Sequence, residues 1–358
     1  MTAPPTELHA LTAAELSAGY AAGRFTPPEV LQAVQAHIAR WEPHVQALWH
    51  FDAARDAAQA LAAARASEQR WREGRPLSPL DGVPGTLKEN IATAGTPLPM
   101  GSAATELVPA AADAPPAARW REAGLVLLGK TTMPDYGMLS SGLSSFHQAR
   151  GALTRNPWNL ALNPGGSSAG AGAAAAAGYG PLHVGTDIGG SIRLPATWCG
   201  IVGFKPSNGR IPIQPPYLGR VAGPMARTVT DCALLMAPLS RPDDRDATRL
   251  PFAELPWHEV DTTPPEHLRG LRVGLWMDAG FGLPLEPAVR AAVLDAARRL
   301  EAAGAVVEPM AAFATPAMIE GIDRFWRMRS WLDLEALPPE RRARVLPFIR
   351  EWVAPGAH

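Results

Sequence analysis

Three short islands of glycine, serine and lysine hold the side chains best suited to chemistry in this 358-residue sequence. They read Gly82-Val83-Pro84-Gly85-Thr86-Leu87-Lys88-Glu89-Asn90, Gly165-Gly166-Ser167-Ser168-Ala169-Gly170 and Asp187-Ile188-Gly189-Gly190-Ser191-Ile192-Arg193. Taken singly, each has an ordinary structural reading: a solvated lysine after an apolar strand, a flexible Gly-Ser loop, a tight turn. Taken together they supply the parts of an amide-cleaving serine that works without histidine. Such a serine needs a group to accept its proton and backbone N–H groups to receive the oxyanion. A lysine accepts a proton only when neutral, and burial lowers its pKa by penalising the ammonium. Lys88 follows the apolar run Val83 to Leu87, a place that can be shielded from water. Gly189 and Gly190 stand directly before Ser191, and their amides are unobstructed by side chains. Ser167-Ser168 precede a run of Ala and Gly over 169–177, a helix of small residues that can pack tightly beneath a site and whose N-terminal dipole favours negative charge.

Three other motif matches fail on context. Residues 124–131 read GLVLLGKT and fit the phosphate-loop template G-x-x-x-x-G-K-[ST]. That template needs free N–H groups between its glycines, on a loop that opens a helix. Here Leu125 to Leu128 are four large apolar side chains suited to a buried parallel strand, and Pro134 interrupts any helix that would receive the phosphate. The stretch 166–170 fits G-x-S-x-G with Ser168 as nucleophile, but the later histidines His183, His258, His267 and His358 lack the context of an acid followed by a catalytic histidine. The stretch 170–175 fits a loosened dinucleotide fingerprint, yet it lies inside the expected helix instead of opening it.

The elements that must position these islands are legible in outline. Thr12 to Glu15 and Thr26 to Glu29 are T-x-x-E capping boxes, the second with Pro27 at the first helical position, and helices are predicted through much of 12–73. The Ala-rich segment from Phe51 to Arg72 has the profile of a long, partly exposed helix. Near Pro76 the texture changes to short apolar runs punctuated by Gly and Pro. A helix over Asp113 to Ala123 and a strand over 125–128 follow; Leu271 to Trp276 (strand), Glu286 to Ala302 (helix) and Ala305 to Pro309 (strand) repeat the alternation. From Thr315 the pattern is helical, with Trp326, Trp331 and Trp352 among charges. The rhythm predicts a layered α/β fold around a mixed or mostly parallel sheet. One domain over 1–358 is expected, with an N-terminal helical segment (1–75), an α/β core (76–310) and a helical segment (311–358). The 37 prolines and 33 glycines are dispersed, as in many ordered loops.

Composition narrows the function classes. The 33 basic and 34 acidic residues nearly cancel, so no electrostatic footprint for nucleic acid or anionic lipid is present. The nine histidines form no ligand cluster, and neither metal nor cofactor is implied. Cys199 and Cys232 read as small core residues in a reducing cytoplasm. Met1 to Pro5 do not start a signal peptide, and the uncharged tract Asn163 to Val184 is too weakly apolar to span a bilayer. The expected partner is a small-molecule substrate of a cytoplasmic protein, with no nucleic acid and no membrane; oligomeric state is not readable.

In order and spacing the islands resemble the amidase signature family, with its G-[IV]-P-x-x-x-K-[DE]-N, G-G-S-S-[GA]-G and D-x-G-G-S-[IV]-R-x-P-A segments. The serine of the last segment lies 24 positions after the first serine of the pair, as Ser191 lies after Ser167 (191 − 167 = 24). The similarity extends to Gly129–Asp135, Thr154–Trp158, Gly203–Arg210 and Gly223–Thr228, and so covers at least 80–231. It implies the family's layered fold, a mixed central sheet flanked by helices on both faces. It also implies hydrolysis of a carboxylic amide to acid and ammonia or amine through an acyl-enzyme. Residue by residue it makes Ser191 the nucleophile, Ser167 a bridging serine that follows a cis peptide bond, and Lys88 the terminal base. The oxyanion donors would be the N–H groups of Ile188, Gly189, Gly190 and Ser191, with Ser168, Asp187 and Arg193 holding the loops. The segment Tyr136 to His147, with Ser140, Ser141 and Gly142, resembles the family's substrate-lining loop. Trp326 could also wall an acyl pocket, although a tryptophan at such a position is more often core. Two rival readings stand beside hydrolysis: a glutamine-dependent amidotransferase subunit that hands ammonia to a partner, and an inactive scaffold, which would have no chemical need of all three catalytic side chains. Members of the family usually continue past the point where this chain ends, which leaves a fragment, a truncated product or a naturally short variant open.

Overall fold

The capping boxes form as the sequence predicts. Thr12 and Thr26 each accept the N–H of the glutamate three residues on, and each glutamate reaches back to the threonine N–H, at 2.8 Å and 2.7 Å. They start α1 (Ala13–Ala21) and α2 (Pro27–Val45). The computed structural model describes residues 7–217, 219–260 and 266–357, so Met1 to Pro5 and His358, both weighed in the sequence, lie outside the described residues. After the short strand β1 (Leu48–Trp49), Asp52 accepts the Arg55 N–H at 3.0 Å and opens α3 (Ala53–Arg72).

Within the described residues two compact units are formed, one from 7–260 with 337–349 and one from 266–336 with 350–357. The first is built on a six-stranded sheet. Its strands are β1, β2 (Pro84–Lys88), β3 (Val126–Thr131), β4 (Leu182–Asp187), β5 (Val202–Gly203) and β6 (Val221–Ala226), in the order β1-β3-β2-β4-β6-β5. The β2 strand pairs in parallel with both β3 and β4; the other pairings are antiparallel. It is therefore central and buried at every residue, which fits the uninterrupted apolar run before Lys88.

Several boundaries differ from the expectation, two of them for a clear physical reason. The β3 strand includes Gly129-Lys130-Thr131, because Thr131 pairs with Lys88 on one side and with Leu48 on the other. The amides that a phosphate loop would need are part of the sheet. The helix expected from Asp113 is α4 (Pro115–Glu122), since Pro115 and Pro116 occupy its first turn. Asp113 lies before it and accepts the Ala94 N–H and the Arg121 Nε–H, both at 2.8 Å.

The remaining helices of this unit include α5 (Ser145–Gln148), α6 (Ala169–Ala176), α7 (Arg193–Cys199) and α8 (Val229–Leu239). The small residues of α6 have a packing reason. A Cβ on Gly170 would lie 2.4 Å from both the Ala47 carbonyl and the Thr132 nitrogen, and one on Gly172 would lie 2.9 Å from Pro195 Cβ. Both cysteines are buried free thiols.

The second unit contains a two-stranded parallel sheet of β7 (Arg272–Leu275) and β8 (Val306–Pro309), joined by α9 (Pro287–Ala302) and followed by α10 (Pro316–Glu335). Among the described residues no helix is long and apolar enough to cross a membrane, and no group of His, Cys, Asp or Glu could hold a metal ion.

Candidate active site

Lys88 is the last residue of β2, and its side chain is fully buried. Its Nζ lies 2.8 Å from Ser167 Oγ, 3.0 Å from Ser168 Oγ and 3.1 Å from Thr186 Oγ1. Burial pulls its pKa down from 10.5 to about 7, against the opposing pull of Glu89 and Asp187; Arg220 lowers it further. An aliphatic amine thus sits near its midpoint at neutral pH, on the end of a strand that cannot move without disturbing the sheet.

The two serines come from the turn into α6. The peptide bond between Gly166 and Ser167 is cis. Ser168 occupies the N-cap of α6 but does not cap its own helix. Its hydroxyl donates to the Thr186 carbonyl at 3.1 Å and accepts the Thr186 N–H at 3.2 Å, so it ties the α6 turn to the end of β4. The Gly170 N–H at the start of α6 is taken by the Thr132 carbonyl at 3.1 Å.

The third island follows β4 directly. Asp187, its last residue, is buried and organises the loop: its carboxylate accepts the N–H of Gly190 at 2.8 Å and of Ile192 at 3.0 Å, and a two-pronged contact from Arg193 at 2.9 and 3.1 Å. Burial alone would raise the Asp187 pKa, but these bonds and the guanidinium hold it below the usual range. Ser191 is half-buried, and its carbonyl accepts the Ser168 N–H at 3.0 Å, which locks the second and third islands side by side.

The sequence-derived site is assembled unevenly. Lys88, Ser167 and Ser168 are in direct contact, whereas the Ser191 hydroxyl makes no hydrogen bond among the described residues. Of the four expected oxyanion donors, Gly190 is withdrawn, because its N–H belongs to Asp187. The N–H groups of Ile188, Gly189 and Ser191 have no acceptor among the described residues. Ser141 lies beside the cis bond, since a Cβ on Gly166 would meet its nitrogen at 2.6 Å. Gly142 is buried against Thr154, whose carbonyl lies 2.3 Å from a Cβ built there, so this position has no room for a side chain. Trp326 lies on α10 in the second unit.

Three residues of the site had been given no role. Thr186 holds the Lys88 amine, and Asn90 Nδ2 donates to its hydroxyl at 3.0 Å. A hydroxyl next to the aspartate that closes an apolar strand was the available signal for Thr186. Gly137, at φ +75°, comes so near Ser167 that a Cβ there would be 3.1 Å from its Oγ, a close approach that a side chain would crowd.

Comparison with known proteins adds to this geometry. The Amidase family model matches residues 29–327. Among curated proteins, a glutamyl-tRNA(Gln) amidotransferase subunit from Chloroflexus aggregans is 36% identical over 99% of this chain and 74% of its own length. The protein of the same name from Chloroflexus aurantiacus is 40% identical over 84% of this chain and 60% of its own length. This chain therefore spans 60% to 74% of those two relatives. Among solved structures, a bacterial aryl acylamidase of the amidase signature family is 30% identical with a TM-score of 0.84, covering 98% of this chain and 73% of that one. The peptide amidase of Stenotrophomonas maltophilia is 29% identical with a TM-score of 0.79, covering 97% and 75%.

Proposed function

From the premise that the chain belongs to the amidase signature family, we propose that it cleaves the C–N bond of a carboxylic amide by transferring the acyl group to Ser191. The observation that carries this reading is the buried Lys88 amine, lowered to about 7 by burial and held 2.8 Å from Ser167. A neutral amine has two N–H groups and one lone pair, which matches the three hydroxyls around it. Ser168 gives its proton to the Thr186 carbonyl and so accepts from Lys88. Thr186 Oγ1 accepts from Asn90 and from Lys88. Ser167 is then the hydroxyl that donates to the lone pair, and its oxygen is available to take the proton of Ser191.

The reaction follows in two steps. As substrate binds, the Ser191 hydroxyl turns onto Ser167, the one link this structure does not yet form; such contacts commonly tighten only with substrate present. Ser191 attacks the carbonyl, its proton moves through Ser167 to Lys88, and the N–H groups of Ile188, Gly189 and Ser191 receive the oxyanion. The relay returns the proton to the leaving nitrogen, and water then hydrolyses the ester.

A second reading is favoured by the sequence likeness, which is greater to the amidotransferase subunits (36% and 40%) than to the two hydrolase structures (30% and 29%). In it the amide is that of glutamine, and the ammonia passes to a partner protein. The assembled Lys88–Ser167 contact weighs against an inactive scaffold. The test is ammonia or amine release by the purified chain from a panel of primary amides, anilides and glutamine, with Ser191→Ala as control. Release from amides without a partner supports the hydrolase, and glutamine cleavage that needs a partner supports the amidotransferase. No Ser191-dependent turnover or labelling under any condition would sink both.

A further inference from the structure

Glu89 follows Lys88 directly, and its side chain is fully buried although it belongs to neither the relay nor the oxyanion loop. Its N–H donates to the Thr131 carbonyl at 3.0 Å, which fixes it just beyond the paired ends of β2 and β3. One carboxylate oxygen, Oε2, lies 2.9 Å from Nε2 of His147, a residue of α5 that is itself buried. The other, Oε1, is enclosed by protein with no hydrogen-bond partner among the described residues. Burying a carboxylate oxygen without a hydrogen bond from the protein costs free energy, so its place in the interior calls for an explanation. Two buried amines flank it. Lys88 precedes it in the chain, and Lys130, on β3, donates from Nζ to the Ile91 carbonyl and to Thr93 Oγ1 at 2.7 Å, two and four residues beyond Glu89.

We propose that Glu89, braced by His147, is a positioning residue for Lys88: a buried countercharge held off the amine that sets how readily the base accepts a proton. The inference rests on the reading of Lys88 as the base of an acyl-transfer site. The charged and titratable groups that bear on Lys88 are Glu89 directly after its strand, Asp187 at the end of β4, and Arg220 before β6; Arg193 is paired with Asp187. Those facing Glu89 are His147 from α5, Lys88, and Lys130 from β3. Among these, Glu89 is the leading negative charge acting on either lysine, ahead of Asp187 for Lys88 and of Asp113 for Lys130. Burial drives both amines down to about 7, and the Glu89 charge keeps the fall from going further. The bond to His147 anchors the carboxylate to the helix that follows the Ser141 loop, so the placement of the countercharge is tied to that side of the site.

The test reads the pH dependence of Ser191 labelling by a fluorophosphonate, which needs no knowledge of the natural substrate. In that step the Ser191 oxygen bonds to phosphorus, fluoride leaves, and the serine proton passes to Lys88. In the wild type the rate should rise with pH through a midpoint near 7, set by Lys88 losing its proton. Glu89→Gln keeps the size and the partner for His147 but removes the charge, so its midpoint should fall by at least about half a unit. Glu89→Asp keeps the charge and should stay closer to the wild type. Whatever shift His147→Asn produces should vanish in the Glu89→Gln background, because it acts through the carboxylate. Thermal melting identifies any variant that has not folded; should Glu89→Gln fail, Glu89→Asp and His147→Asn carry the comparison. A Glu89→Gln enzyme slowed equally at every pH, with its midpoint unmoved, would overturn the proposal and leave a structural role. A wild type without Ser191-dependent labelling would instead overturn the acyl-transfer reading on which it rests.

Discussion

The two sheets of this molecule are built from similar materials and put to different use. In the first unit β2, β4 and β6 are buried at every position, and the polar groups they carry are buried with them. In the second, β7 and β8 are exposed or half-exposed throughout, and their ion pair, Arg272 with Glu308, lies open to water at 78% and 51% side-chain exposure. Such a pair contributes little, because water screens both charges. Asp187, by contrast, holds Arg193 and two backbone amides from a side chain with no exposure. The chemistry of the first unit is thus a product of enclosure. A lysine on β7 would be an ordinary cation; on β2 the Lys88 amine is pulled down to about 7, because the surrounding layers deny its ammonium water.

The largest way to break the contrast is to remove what enclosure serves. Ser191→Ala should abolish fluorophosphonate labelling and lower amide cleavage by about 10⁴-fold or more, with the melting temperature nearly unchanged. Lys88→Met should cost about 10³-fold in kcat/KM and have the opposite sign in stability. The folded pKa of Lys88, about 7, lies below its ordinary value of 10.5, so between those values the unfolded chain binds more protons than the folded one. Stability from this group therefore rises with pH across that window, and the burden of the buried amine is greatest below pH 7. Lys130, lowered to about 7 by the same burial, adds a second contribution of the same sign. Denaturant midpoints at pH 7 and pH 9 should show Lys88→Met gaining stability over the wild type at the lower pH and keeping a smaller advantage at the higher. Equal midpoint differences at both values would mean that Lys88 is not desolvated.

How far the sequence discloses this site follows from the range of the interactions involved. The capping threonines, the central strand before Lys88 and the small residues of α6 were legible because propensity, periodicity and close packing act over a few neighbouring positions. The order of the islands was legible through family resemblance. What stayed hidden depends on contacts distant along the chain. Thr186 meets Lys88 across 98 positions, and His147 meets Glu89 across 58. The withdrawal of Gly190 from the oxyanion donors turns on which of several adjacent amides Asp187 engages, a matter of loop conformation that glycine leaves undetermined. Gly142 is a related case: glycine permits both a ligand's approach and a backbone's, and the close backbone contact with Thr154 was not legible from the sequence.

Smaller effects sharpen the same comparison in the cores. Leu87, adjacent to Lys88 and 1% exposed, belongs to the main hydrophobic cluster, so Leu87→Ala leaves a cavity among fixed neighbours and should cost about 2–5 kcal/mol. Val306, on β8, is 47% exposed, and Val306→Ala should cost about 0.5 kcal/mol or less, since its methyl groups are largely in contact with water already. The apolar side chains of α10 point the same way: Ile322 and Leu332 are 53% and 60% exposed. Equilibrium unfolding of Leu87→Ala and Val306→Ala, followed by a probe in each unit, measures the difference directly. A Val306→Ala loss as large as that of Leu87→Ala would mean that β8 is enclosed in solution by something that excludes water. The second unit would then share the property that makes the first one chemically useful.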